Sequence, residues 1–167
     1  MKKIISLAVC FVLGSFVLAG CSDSNDPFAQ KEYAVDGSQI EEIRIDVRDR
    51  QIEVLLSQDE QVHIQYYENG KEYYDILVSD QNVLTMTSIS DKEWTDYIGI
   101  KPSAEDRKIS LQIPNAVLEN LTLSTTNADV ILSALAVTGS ISISSNGGNI
   151  TFGRLDMGNA LSLTVKN

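Results

Sequence analysis

The chain has 167 residues, 43% of them apolar, with 13 Lys+Arg against 23 Asp+Glu and a net charge of −10. That length suffices for one domain with a core of its own. The acidic balance argues against nucleic-acid binding and against electrostatic adhesion to anionic lipid.

Lys2 and Lys3 form a short basic start, and residues 4–18 follow without a charge. This run is shorter than the ~20 residues a membrane-spanning helix needs, and it has the flanks of a signal-peptide core. It ends in Leu18-Ala19-Gly20-Cys21, which resembles the bacterial lipobox. Small residues at Ala19 and Gly20 fit a narrow peptidase site, and the Cys21 thiol can take a thioether-linked diacylglycerol. The sequence therefore predicts a signal peptide over residues 1–20, cleaved between Gly20 and Cys21. It also predicts a lipoprotein held to the cell membrane, or to an outer membrane, by acyl chains such as palmitate on Cys21. Two or three chains, at ~0.8 kcal/mol per buried methylene, anchor stably where one would not. An ordinary secretory signal with an incidental cysteine, or an uncleaved anchor, is the alternative. Cys10 leaves with the signal and Cys21 is consumed by lipid, so the mature domain has no disulfide. Losing Lys2 and Lys3 leaves 11 basic against 23 acidic residues, about −12.

Residues 21–38 carry Pro27, Gly37 and few large apolar side chains. They read as the lipidated N-terminus and a flexible tether, about 23 Å long as a coil. Beyond them, apolar residues alternate at period two. Ile43-Arg44-Ile45-Asp46-Val47, Ile52-Glu53-Val54 and Val62-His63-Ile64-Gln65-Tyr66 are such runs. Asn69-Gly70 stands before residues 73–78 and reads as a hairpin turn, because both residues tolerate positive φ. Ser79-Asp80-Gln81-Asn82 marks a further turn. Residues 62–88 therefore read as an N-terminal antiparallel meander.

The last third repeats. Residues 121–135 laid over 141–155 match apolar with apolar at Leu121/Ile141, Leu123/Ile143, Val130/Ile150, Leu132/Phe152 and Leu135/Leu155. Thr126-Asn127-Ala128-Asp129 and Asn146-Gly147-Gly148-Asn149 supply turns between the strand-like pieces. Leu161-Ser162-Leu163 begins a third copy, and Ile43, Ile45, Ile52 and Val54 fit the same template. A period of 20 residues made of strand, turn and strand predicts an all-β, parallel β-solenoid, its rungs stacked about 4.8 Å apart around shared apolar columns. The last rung stops at Asn167, inside a turn of the earlier copies. The expectation is a chain that continues in a longer protein, or self-association through the open rung.

Lys108-Ile109-Ser110-Leu111-Gln112-Ile113-Pro114, Leu121-Thr122-Leu123, Asn127-Ala128-Asp129-Val130 and Gly147-Gly148-Asn149-Ile150 resemble the "putative adhesin" domain of unknown function, also called toast-rack. The resemblance covers residues 39–167. Its motif is a strand ending in proline, then glycine-aspartate-isoleucine turns that Ala128-Asp129 and Gly148-Asn149 approximate. It implies a right-handed, sandwich-like solenoid outside the cell, in envelope-stress or surface-attachment contexts, and it carries over no catalytic residue.

The residues themselves offer little chemistry. His63 stands mid-strand, opposite in direction to Ile64, and reads as a solvent-facing residue. No His/Cys cluster has metal-ligand spacing; Asp80, Asp91, Glu93, Asp96, Glu105 and Asp106 read as solvated loop carboxylates. No catalytic residue, metal or cofactor is expected. Trp94, the sole tryptophan, and Tyr97 lie in a charged loop and are candidate contacts to a protein or glycan of the envelope. The alternative is that Trp94 folds back over the end of the meander. Thr122, Ser142 and Ser162, with Ser124, Ser144 and Thr164, would stack as an outward hydroxyl ladder, which solvent-facing strands form without special purpose. The sequence thus reads as a non-enzymatic, membrane-anchored envelope lipoprotein presenting an interaction or sensing module. The alternatives are a carbohydrate-active β-helix enzyme, for which Asp129, Arg154, Asp156 and Lys166 are the available groups, or an inert surface spacer.

Overall fold

Period-two alternation becomes strand throughout the computed structural model, which describes residues 27–97, 102–115 and 118–166. The signal segment, Gly20 and Cys21 lie outside the described residues, as does the side chain of Tyr97. The strands are β1 (Ala29–Asp36), β2 (Glu42–Asp46), β3 (Gln51–Leu56), β4 (Gln61–Glu68), β5 (Glu72–Val78), β6 (Val83–Ser90) and β7 (Lys108–Ile113). Then follow β8 (Asn120–Thr126), β9 (Val130–Leu132), β10 (Leu135–Val137), β11 (Ile141–Asn146), β12 (Ile150–Phe152), β13 (Leu155–Met157) and β14 (Leu161–Lys166).

Two six-stranded sheets face each other, in the orders β1-β4-β7-β3-β9-β12 and β14-β11-β8-β2-β6-β5, with β10 beside β13 along one edge. The expected solenoid register holds residue by residue. Leu161, Ile141, Leu121 and Ile43 form one column and Leu163, Ile143, Leu123 and Ile45 the next. On the facing sheet Phe152, Leu132 and Val54 align, as do Ile150, Val130 and Ile52. Leu135 pairs Leu155 on the edge. One rung alone cannot shield its apolar side; stacking leaves Ile43, Leu121, Ile141, Ile52 and Val130 fully buried. Each such side chain is worth about 1.5–3 kcal/mol relative to exposure.

The corners between sheets also stack. Asp49, Asn127 and Gly147 occupy equivalent positions with φ of 53°, 51° and 91°. Asp, Asn and Gly tolerate this left-handed backbone best. Asn127 Nδ2 donates to Asp49 Oδ1 at 2.9 Å, so the corner is itself a small ladder. Inside it, buried Thr125 donates to the Arg50 carbonyl at 2.7 Å, and buried Ser145 donates to that of Ala128 at 2.9 Å. Gly148 has no room for a side chain, since a Cβ would lie 1.8 Å from the Ala128 carbonyl oxygen.

Three expectations need correction. Residues 29–36, read as tether, form β1, paired with β4 from Ala29↔Glu68 to Asp36↔Gln61. Only Tyr33 and Val35 pack against the core, because an edge strand keeps Gln30, Lys31 and Glu32 wet. The apolar density that marks a strand is therefore missing there.

The second is the meander. Its antiparallel character holds, but β4 pairs with β1 and β7 while β5 pairs with β6 in the other sheet. Asn69-Gly70 is thus a corner, and neither residue takes positive φ. Asn69 Oδ1 accepts the amides of Lys71 (3.0 Å) and Glu72 (2.8 Å), capping a turn that carries the chain across. The hairpin expected at residues 79–82 does form, with Asn82 at φ 59°.

The third is Phe152, expected inside. Its register with Leu132 is right, but β12 has a neighbour on one side only, and the ring is 43% exposed.

Candidate functional site

One edge of the sandwich gathers the start of β1, the corner at residues 69–71 and the loop after β6. The loop is fixed by short-range polar bonds. Asp96 Oδ2 accepts the Glu93 amide at 2.8 Å, and the Asp96 amide donates to the Glu93 carbonyl at 3.0 Å, closing the 3₁₀ turn Trp94–Tyr97. The Lys71 ammonium donates to Asp96 Oδ1, and this bond with the Glu93 amide holds the Asp96 carboxyl below the usual aspartate range. Asp91 donates its amide to the Lys71 carbonyl at 2.8 Å and accepts from the Tyr73 hydroxyl at 3.0 Å. That hydroxyl bond raises the Tyr73 pKa. The braced loop holds Trp94 outward at 75% exposure. The ring does not cover the end of the sheet.

Beneath the loop lies a charge cluster the sequence reading missed. Arg50 is 5% exposed. Its Nε donates to the Tyr74 hydroxyl at 2.8 Å, Nη1 to the Asp49 carbonyl at 3.2 Å, and Nη2 lies 3.3 Å from Glu72 Oε1. Glu72 Oε2 is 2.6 Å from Lys92 Nζ. The Arg50 guanidinium carbon also sits 5.8 Å from the centre of the Phe28 ring. A signal existed. Arg50 shares strand parity with Ile52 and Val54, and Glu72 with Tyr74 and Ile76, so two opposite charges stood at inward positions. Burial raises the pKa of Tyr74, and that of its edge-on partner Tyr66, centroids 5.2 Å apart, is pushed up to about 12. Beside the cluster opens a polar cleft of 370 Å³, lined by Asp46, Arg48, Arg50, Tyr73 and Ser88 among others.

The remaining candidates are scattered. His63 points away from buried Val62 and Ile64, as expected, and lies 3.0 Å from Asp59 and 3.3 Å from Glu32. The Asp59 carboxyl is held low by the Gln61 amide, then by His63 and Ser57. Glu105 accepts from the Tyr67 hydroxyl and Asp106 from the Ser103 amide. Among the described residues no three His, Cys, Asp or Glu form a metal-holding group. Asp129 accepts the Asn149 amide at 2.8 Å. Arg154 pairs with its exposed neighbour Asp156, and Lys166 aligns with Asn146, so these groups share no groove. The hydroxyl ladder is in register over β8, β11 and β14, and ends at Arg44 and Asp46 of β2.

No described helix is long and apolar enough to cross a membrane. No curated protein matches the sequence significantly. Among solved structures it is similar to a "putative cell adhesion protein" from Clostridium sporogenes: 9% identity, TM-score 0.37, covering 84% of this chain and 100% of that one. A "putative adhesin" from Parabacteroides distasonis is 16% identical with TM-score 0.39, over 86% and 67% of the two chains. Another from Parabacteroides merdae is 21% identical with TM-score 0.40, over 78% of this chain and 51% of its own. These scores are too low to carry the assignment, which rests on a family profile matching residues 40–166. Over that span, which takes in every strand after β1, the chain belongs to the Toastrack DUF4097 family.

Proposed function

We propose that the mature chain is an extracytoplasmic lipoprotein, anchored through Cys21, whose Toastrack domain is a non-enzymatic interaction module of the bacterial envelope. Trp94 is its principal contact. The observation that carries this is an exposed tryptophan held outward by a loop braced through Lys71, Tyr73 and Asp96. Tryptophan is among the residues that most often dominate binding energy, and a braced loop lowers the entropy lost on contact. A spacer would gain nothing from this arrangement. The dispersed positions of Asp129, Arg154, Asp156 and Lys166 disfavour a carbohydrate-active enzyme. A second surface stands at the last rung, where Leu161, Leu163 and Val165 are exposed along β14. Another copy pairing along β14 would continue the sheet that it edges.

A photocrosslinking amino acid at position 94, expressed in intact cells, tests the reading. A discrete adduct, whether protein, glycan or lipid, is expected. A folded, surface-located chain giving no adduct would favour the spacer.

A further inference from the structure

The point where the chain enters the domain and the loop that carries Trp94 are linked by an unbroken series of contacts. Phe28, directly before β1, stacks near Arg50; Arg50 pairs with Glu72, Glu72 with Lys92, and Trp94 lies two residues on. The backbone gives a second link: Ala29 pairs with Glu68 at the end of β4, and in the corner that follows the Lys71 carbonyl accepts the Asp91 amide. Because β1 takes up residues 29–36, the tether is much shorter than composition suggests. From Cys21 to Phe28 are seven steps, which covalent geometry limits to a span of about 25 Å.

We infer that Trp94 seats in the headgroup region of the same bilayer that holds the lipid on Cys21, fixing which edge of the domain faces the membrane. The inference rests on the lipidated-Cys21 reading and names the partner of the Trp94 contact. An indole has an apolar body and one N–H donor, the combination that favours membrane–water interfaces. A single shallow ring binds weakly from solution. A tether this short raises its effective concentration at the surface to the millimolar range, so weak contact suffices. Asp91 and Glu93 stand just before Trp94, while Lys71 and Lys92 are engaged by Asp96 and Glu72. The seat therefore needs no anionic lipid, and the carboxylates that precede it in the chain keep it shallow.

The mature chain carries one thiol, Cys21, and one tryptophan, so a single sample tests this cleanly. Cys21 is coupled to a maleimide-headgroup lipid in phosphatidylcholine vesicles, and Trp94 fluorescence is compared with that of the uncoupled chain. The expected result is a blue-shifted emission, quenched by lipid brominated high in its acyl chains, with quenching lost when a long Gly/Ser segment is inserted after Ser22. Emission and quenching identical to the free chain would overturn the inference. Chemical coupling makes the outcome independent of whether cells lipidate Cys21, so failure here and failure of the anchoring reading are distinguishable.

Discussion

Arg50 and Glu72 show what a single buried charge contributes here. The pair is largely covered at the wall of the polar cleft, with Tyr74 and the Asp49 carbonyl taking further Arg50 donors and Lys92 as a second counter-charge to Glu72. Removing one partner leaves the other largely covered and without its nearest counter-charge, a cost at the low end of the about 3–5 kcal/mol of a fully buried pair. Arg50→Ala should therefore lower the urea midpoint strongly and free Phe28, and exchange of the β1 amides should accelerate. Arg48→Ala, on the exposed cleft wall, should leave both within error. Tyr66 gives a pH dependence of defined sign. Its folded pKa is raised from 10.0 to about 12, first by burial, then by Glu68 and Tyr74. A raised value means the contribution is whole below pH 10 and is lost as pH rises toward 12. Denaturant midpoints measured across that window should fall, and Tyr66→Phe should remove part of the fall. An unchanged slope in Tyr66→Phe would place the alkaline sensitivity elsewhere.

Stacking decides the energetics of each element. Leu132, 2% exposed, has Val54 on one side and Phe152 on the other, whereas Phe152 has only Leu132. Leu132→Asp should thus cost several kcal/mol, Phe152→Asp clearly less, and outward Thr151→Asp about 0.5 kcal/mol or less. Midpoints in that order support the register, and equal losses at 132 and 151 would refute it. The repeats were legible because parallel stacking demands the same residue class at the same position in every rung. That is why residues 121–135 and 141–155 could be superimposed from sequence and even extended to Ile43 and Ile52. β1 was illegible because an edge strand needs only Tyr33 and Val35 to be apolar. The Asn69-Gly70 corner was misread because those two residues suit several turns, and only long-range pairing chooses among them. Trp94 could be picked out from sequence, but its outward pose depends on Lys71 and Asp96, 25 residues apart. No local pattern encodes that.

For the whole molecule the question is where it works. The Toastrack domain supplies a two-sheet sandwich, the edge bearing Phe28 and Trp94 supplies the proposed orientation, and Leu18-Ala19-Gly20-Cys21 supplies the proposed address. The central claim is that Cys21 is cut free and lipidated, and metabolic labelling with palmitate tests it most directly. The wild-type chain should incorporate label, partition with membranes and have modified Cys21 as its first residue, while Cys21→Ser should be unlabelled and remain as precursor or soluble protein. Unlabelled wild-type protein in the medium, beginning at Ser22 or later, would contradict the account.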